Sequence, residues 1–279
     1  MLNSIAIVIY IISTAVKNDN FKRYNILTLK NMVFPKLQNK HLFEPLFTPE
    51  EFVRYKKWEK KDFPSKIIIT YQKRPLAYFK KKFKGKYKTF KLTGSNNLLI
   101  YENIGFIKMA GIGAPHATAI FEELIILGGR EFINMGSAGG LFTNGIFLCN
   151  KAVRDEGTSH HYIKDGIFSY PDQSLMDRLG KSLSKFNYQY SVGPTWTIDA
   201  PYRETKREIE HYKKNKVMTV DMETSALFAV AKLRKVKIAS LFVVSDILGN
   251  DKWDPQFHKF DYKRTLNKMV DIAIDCLNY

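Results

Sequence analysis

Apolar and polar residues alternate along this chain in two different periods. Ile67-Ile-Ile-Thr-Tyr71 is a compact β-branched run that predicts a core strand, and weaker strands are expected at 87–92 and 98–101. A strand at 104–109 leads into a glycine turn. Beyond it, Ala117, Ile120, Phe121, Leu124 and Leu127 recur at helical spacing, so this helix lays one apolar face on a sheet. Further strands are expected at 131–135, 146–153, 190–194 and 238–244, and helices at 173–186, 202–213, 222–233 and 262–277. Thr48, Pro49 and Glu51 form a helix-start signature for a short basic helix reaching 61. Strand and helix alternate throughout, which predicts an α/β fold: a three-layer α/β/α sandwich around a central mixed sheet, with ligands at strand ends. Residues 32–279 read as a single domain, and residues 1–31 as a dispensable N-terminal extension.

Length and composition narrow the class. With 279 residues and 45% hydrophobic content, the chain can bury a sizeable core. Only Cys149 and Cys276 are present, without metal-ligand spacing, so neither a disulfide framework nor a zinc site is expected. His160 and His161 are adjacent and point in different directions, which adds no metal motif. The stretch from Ile5 to Val16 is apolar but too short for a membrane span. A cytoplasmic location is expected, with a secretory signal left open because Ser13-Thr14-Ala15, near the end of that stretch, could pass for a cleavage site while a basic n-region is missing.

The formal charge of +17 is unevenly placed: between Arg54 and Lys91, 15 Lys and Arg stand against two acidic residues. Aromatic residues are interleaved there, a pattern that would suit nucleic acid. No nucleic-acid motif accompanies the charge. A solvated basic face that draws in small anions such as phosphate is the expectation, and nucleic acid is not expected as a partner.

The candidate chemistry begins at the two glycine turns around the helix. Ala110-Gly-Ile-Gly113 precedes it, and Gly136-Ser-Ala-Gly-Gly140 follows the next strand. Gly113 permits close backbone approach, the helix start offers unpaired N–H groups, and Ser137 faces a ligand at a strand end. Three later segments carry more polar groups. Arg154-Asp-Glu-Gly-Thr-Ser-His-His161 follows a strand and reads equally as a self-bonded loop. In the segment from Thr195 to Thr205, Trp196 and Tyr202 offer flat faces for a heterocycle, and Arg203 and Glu204 offer hydrogen bonds to its edge. Asp221 and Glu223 sit at a helix start, where they either stabilise its dipole or receive sugar hydroxyls. Asp246 ends a hydrophobic strand, as a turn cap or as a proton donor to a leaving base.

The order of these segments resembles the nucleoside phosphorylase/uridine phosphorylase superfamily, which also contains nucleosidases. The match covers about residues 66–250 and rests on Gly111-Ile-Gly-Ala-Pro-His116, Gly136-Ser-Ala-Gly-Gly140, Arg154-Asp-Glu-Gly-Thr-Ser159, Asp199-Ala-Pro-Tyr-Arg203 and Val220-Asp-Met-Glu223. The resemblance implies that Ser137, Gly113 and nearby amides hold phosphate, with Arg74 and Asn134 beside them. It implies that Met222 and Glu223 hold ribose, and that Trp196, Arg203, Glu204 and Arg207 form the base end. Glu223, Asp246 and Arg203 are then the catalytic group, inorganic phosphate is co-substrate, and no other cofactor is expected. A homo-oligomer, dimer or hexamer, is also implied.

Two departures separate the branches. Asn134 stands where the phosphorylases place an arginine, and Asn followed by Gly-Ser-Ala-Gly-Gly is similar to the nucleosidases. Thr70-Tyr-Gln-Lys-Arg74 supplies no carboxylate to activate water, which favours phosphorolysis. Val-Ser-Asp246 is similar to the purine enzymes, whereas the loop from Arg154 to His161 is closer in form to uridine phosphorylases. The reading is phosphorolysis of a ribonucleoside with uridine favoured. Purine phosphorolysis and hydrolysis are the alternatives, and a non-catalytic nucleic-acid-binding protein is a distant one.

Overall fold

The computed structural model describes residues 39–142, 144–164, 166–248, 252–258 and 260–279. The expected extension at 1–31 lies outside them, and the account below concerns the unit from His41 to Tyr279. Its strands are β1 (Lys66–Thr70), β2 (Lys88–Lys91), β3 (Asn97–Tyr101), β4 (Ile104–Lys108), β5 (Glu131–Gly140), β6 (Ile146–Asp155), β7 (Phe168–Ser169), β8 (Tyr190–Ile198), β9 (Thr219–Asp221), β10 (Lys237–Ile247) and β11 (Asp254–Pro255). Its helices are α1 (Pro49–Tyr55), α2 (Lys73–Lys82), α3 (Ala114–Leu127), α4 (Gln173–Lys185), α5 (Lys206–Lys214), α6 (Thr224–Arg234) and α7 (Phe260–Leu277).

All eleven strands join one mixed sheet, in the order β11-β10-β6-β8-β9-β5-β1-β4-β3-β2, with β7 on β6. β1 lies between β4 and β5 and runs parallel to both, so their C-terminal ends share one edge. Side-chain alternation sorts the core. Ile67, Ile69 and Phe132 pack with α3 and α6, through Phe121, Leu124, Leu227 and Phe228. Ile68 and Ile133 point the other way, to Phe79 of α2, Leu179 of α4, and Met269 and Ala273 of α7. These are the two outer layers of the expected sandwich. Each large side chain removed from water contributes about 1.5–3 kcal/mol before the entropy of ordering the chain is subtracted.

The sheet also closes on itself in a way that residue patterning did not foretell. β10 pairs with β5 as well as with β6, and β9 returns from β8 to β5, so β5, β10, β6, β8 and β9 form a ring. Gly139 makes this closure feasible: a Cβ there would lie 2.9 Å from both Leu248 and Val220 side-chain atoms.

Local signals set most helix ends. Thr48 and Glu51 form the expected capping box at α1, but this helix stops at Tyr55 rather than 61, where Lys57 takes a positive φ of 53°. α5 begins at Lys206 rather than 202, because Pro201–Arg203 forms a 3-10 turn and Thr205 with Glu208 makes a second capping box. Among the described residues, no helix is long and apolar enough to cross a membrane.

Candidate active site

The centre of the site lies where the turn after β4 meets the start of α6. Gly113 has φ +95°, a conformation open to glycine, and this aims its N–H at Glu223 Oε1, 2.6 Å away. Glu223 is buried, and burial followed by the neighbouring Asp221 carboxylate pushes its carboxyl up to about 8. The two acids of the predicted pair therefore have different jobs. Asp221 Oδ2 accepts the N–H groups of Glu223 and Thr224, and its Oδ1 accepts the Thr197 hydroxyl at 2.8 Å. Asp221 is the structural cap of α6, and it fixes the backbone from which Glu223 projects. Met222, half-buried, lies between them.

Ser137 lies on β5 at the neighbouring strand end. Gln72 Nε2 donates to Ser137 Oγ at 3.0 Å, and Thr70 Oγ1 donates to Gln72 Oε1 at 3.1 Å. From α7, the Tyr262 hydroxyl also hydrogen-bonds Ser137. Neither Gln72 nor Tyr262 was foreseen as a site residue.

Asn134 lies beneath this floor and is 1% exposed. Its Oδ1 accepts the Tyr71 hydroxyl at 3.1 Å, and its Nδ2 donates to Ser240 Oγ at 3.1 Å and Thr224 Oγ1 at 3.4 Å. The expectation that it touches phosphate is corrected: its polar atoms are spent on a buried network joining β1, β5, β10 and α6. Tyr71 is half-buried beside the acids, and desolvation, then Glu223 and Asp221, push its hydroxyl well above the usual tyrosine range. Arg74 is likewise not brought to Ser137. It is exposed on α2 and lines a groove with Lys81, Lys82 and Asn267, because the helix turns its side chain along that face.

The residues expected at the base end stand near the end of β10 and in the segment around the 3-10 turn Pro201–Arg203. Asp246 sits at a register shift of β10 opposite Gly139. Its Oδ1 accepts the Ser245 hydroxyl at 2.6 Å, and its Oδ2 accepts Trp253 Nε1–H at 2.8 Å. Glu204 is half-buried, and burial, then Asp246 and Glu208, push its carboxyl up to about 7. Arg203 and Arg207 are exposed, as is Tyr202.

Trp196 is the clearest correction. It is wholly buried, tilts against Tyr212 at 4.4 Å between ring centroids, and donates Nε1–H to Asp155 Oδ2 at 2.8 Å. It packs with Ile198, Val217 and Val220 and has no face to offer a base.

The loop after β6 is bonded to itself. Arg154 Nε donates to Ser159 Oγ at 2.9 Å and its Nη1 to the Lys164 carbonyl at 2.8 Å. Glu156 accepts the N–H groups of Thr158 and Ser159 and the Ser225 hydroxyl, which ties the loop to α6. Among the described residues no cluster of potential metal ligands occurs.

A mixed sheet whose strand ends gather a buried glutamate, a serine floor and a carboxylate pair defines a class of proteins, and sequence comparison agrees. Residues 78–278 match the model of the Phosphorylase superfamily, and the chain belongs to that family. It is similar to purine nucleoside phosphorylase of Plasmodium falciparum, 29% identical over 172 residues, which cover 59% of this chain and 69% of that protein. In fold it resembles AMP nucleosidase from Bacteroides thetaiotaomicron, with TM-score 0.69 and 21% identity over 83% of this chain and 97% of that one. It also resembles purine nucleoside phosphorylase from Toxoplasma gondii, with TM-score 0.68 and 20% identity over 78% and 92% of the two chains.

Proposed function

We propose that this protein cleaves the N-glycosidic bond of a purine ribonucleoside, transferring the ribose to inorganic phosphate. The observations that carry the reading are buried Glu223, which accepts the Gly113 N–H at 2.6 Å, and Asp246, which stands opposite Gly139 near the end of β10. Glu223 and Met222 hold the ribose, with the Glu223 carboxyl receiving the sugar hydroxyls. Phosphate lies against Ser137 and the glycine amides. As the bond from the anomeric carbon to the base nitrogen lengthens, its electron pair passes to the base and cationic character develops on the sugar. A phosphate oxygen then forms the new bond to that carbon. Position and electrostatic fit carry most of the rate.

Asp246 and Glu204 make the purine reading stronger than the uridine reading favoured by the Arg154 loop. Two carboxyls near one another, one raised toward neutrality, can hold the proton that a departing purine takes up. The curated relatives named as purine nucleoside phosphorylases support the same choice. Arg203 and Arg207 stand at the rim, where either can close over the base.

One observation favours hydrolysis as the second reading: the side chains hydrogen-bonded to Ser137 are Gln72 and Tyr262, both neutral. Phosphorolysis then draws its positive charge from backbone amides or from a second copy of the chain in a homo-oligomer. The test is a panel of inosine, adenosine, methylthioadenosine, thymidine and uridine with and without phosphate. Faster release of purines, dependent on phosphate, supports the proposal. Equal release without phosphate makes the protein a nucleosidase, and preference for uridine overturns the purine assignment.

A further inference from the structure

Gln72 stands at the N-cap of α2, the position from which a polar side chain ordinarily bonds back to its own helix. It makes no such bond. Its amide turns to the end of β5 instead, where Nε2 donates to Ser137 Oγ at 3.0 Å. The other end of the amide is fixed as well: Oε1 accepts the hydroxyl of Thr70 at 3.1 Å, and Thr70 is wholly buried. The same amide passes close to Gly136, where a Cβ would come within 3.7 Å of both its polar atoms. Gln72 therefore bridges the last residue of β1 and the serine turn of β5, and Thr70 decides which way its amide faces.

One donor of this amide is left over. A glutamine NH₂ carries two N–H groups, of which Ser137 takes one. The second has no partner among the described residues. Ser137 accepts the bond from Gln72, which leaves its own O–H as a donor. Both side chains reach the surface of the site: Gln72 is half-buried, and from Phe132 to Gly140 every residue of β5 is buried except Ser137. With 3.0 Å between Nε2 and Oγ, the two donors can reach one oxygen, or two neighbouring oxygens, of a single anion.

We propose that Gln72 binds the phosphate directly, its second amide N–H joining the Ser137 hydroxyl as the donor pair that holds the nucleophile. This rests on the phosphate-dependent reaction proposed above. The amide supplies a fixed dipole at a floor where Asn134 is spent on the network beneath and Arg74 stands exposed on α2.

The test is calorimetric titration of the full chain, Gln72→Leu and Gln72→Glu with inorganic phosphate, with a melting temperature for each. Steady-state kinetics with phosphate and inosine varied separately follow. Gln72→Leu removes both donors at similar size and should weaken phosphate binding at least about tenfold, the scale of one hydrogen bond to a charged group. Gln72→Glu sets a negative charge beside the anion and should weaken it further. In both variants KM for phosphate rises while KM for inosine stays near that of the parent, a split that loss of a merely structural contact would not give. Should Gln72→Leu melt well below the parent, Gln72→Glu, which can still accept the Thr70 hydroxyl, decides by the same readings. Phosphate binding equal to that of the parent, or a parallel rise of both KM values, would overturn the proposal and leave the reaction standing. No phosphate binding by the parent would overturn both. Phosphate binding that depends on Gln72, without cleavage of any nucleoside, would leave the proposal standing and overturn the reaction.

Discussion

The proposed ribose end and the proposed base end of the site are built in different ways. At the ribose end, Glu223 and Asp221 are buried, and hydrogen bonds from Gly113, Thr197 and the first turn of α6 hold them. At the base end, Asp246 is held by Ser245 and an exposed Trp253, while Arg203 and Arg207 stand in solvent. The proposed sugar subsite is therefore held by buried contacts, and the proposed base subsite is an open rim. A rigid sugar clamp suits a step that is common to all nucleosides, and an adaptable rim suits recognition of the part that varies.

Breaking the rigid end should have the largest effect. Glu223→Ala removes the proposed ribose contact and should lower kcat/KM by about 10³-fold or more, on the scale of lost transition-state contacts in buried sites. Near-normal steady-state kinetics would remove Glu223 from the mechanism. At the open end, Asp246→Asn should lower kcat for inosine by about 10²-fold, within the range of general acid catalysis, while any turnover of uridine changes little. Equal losses for both bases would make Asp246 a structural cap.

A smaller effect is expected beneath the floor. Asn134→Leu leaves the Tyr71 hydroxyl, Ser240 and Thr224 without their buried partner. It should cost about 1–3 kcal/mol, read as a lower denaturation midpoint at unchanged slope. An unchanged midpoint would show that this network adds nothing to stability.

A further expectation concerns pH. Glu204 and Glu223 bind their protons more tightly in the folded state, with values of about 7 and about 8 against an ordinary 4.5. Their contribution is complete below the unfolded value and is lost as pH rises through the folded ones. Thermal stability should fall between about pH 5 and 8, and Glu223→Gln should flatten that slope. A rising slope over this window would contradict the environment assigned to both carboxyls.

Much of this site was legible in the sequence because it lies in short ordered motifs. The glycine turn at Gly113, the serine turn at Ser137 and the acid at Glu223 each follow or precede a strongly patterned element, and the sheet brings these elements to one edge. Other features depend on contacts that no local pattern carries. Gln72 and Tyr262 meet at Ser137 from the start of α2 and from the C-terminal helix. Trp196 could equally be a stacking platform or a core residue until the ring of strands enclosed it. Arg74 is two residues from Gln72, yet the helical turn carries it onto the groove face. Ring closure itself is a matter of strand pairing, which alternation of side chains leaves open.

The most direct test of the central claim is to incubate the protein with inosine and phosphate and to identify both products. The account predicts hypoxanthine and ribose 1-phosphate in equal amounts, with neither formed when phosphate is omitted or when Glu223 is replaced by alanine. Free ribose released at the same rate without phosphate, or full activity in Glu223→Ala, would contradict it.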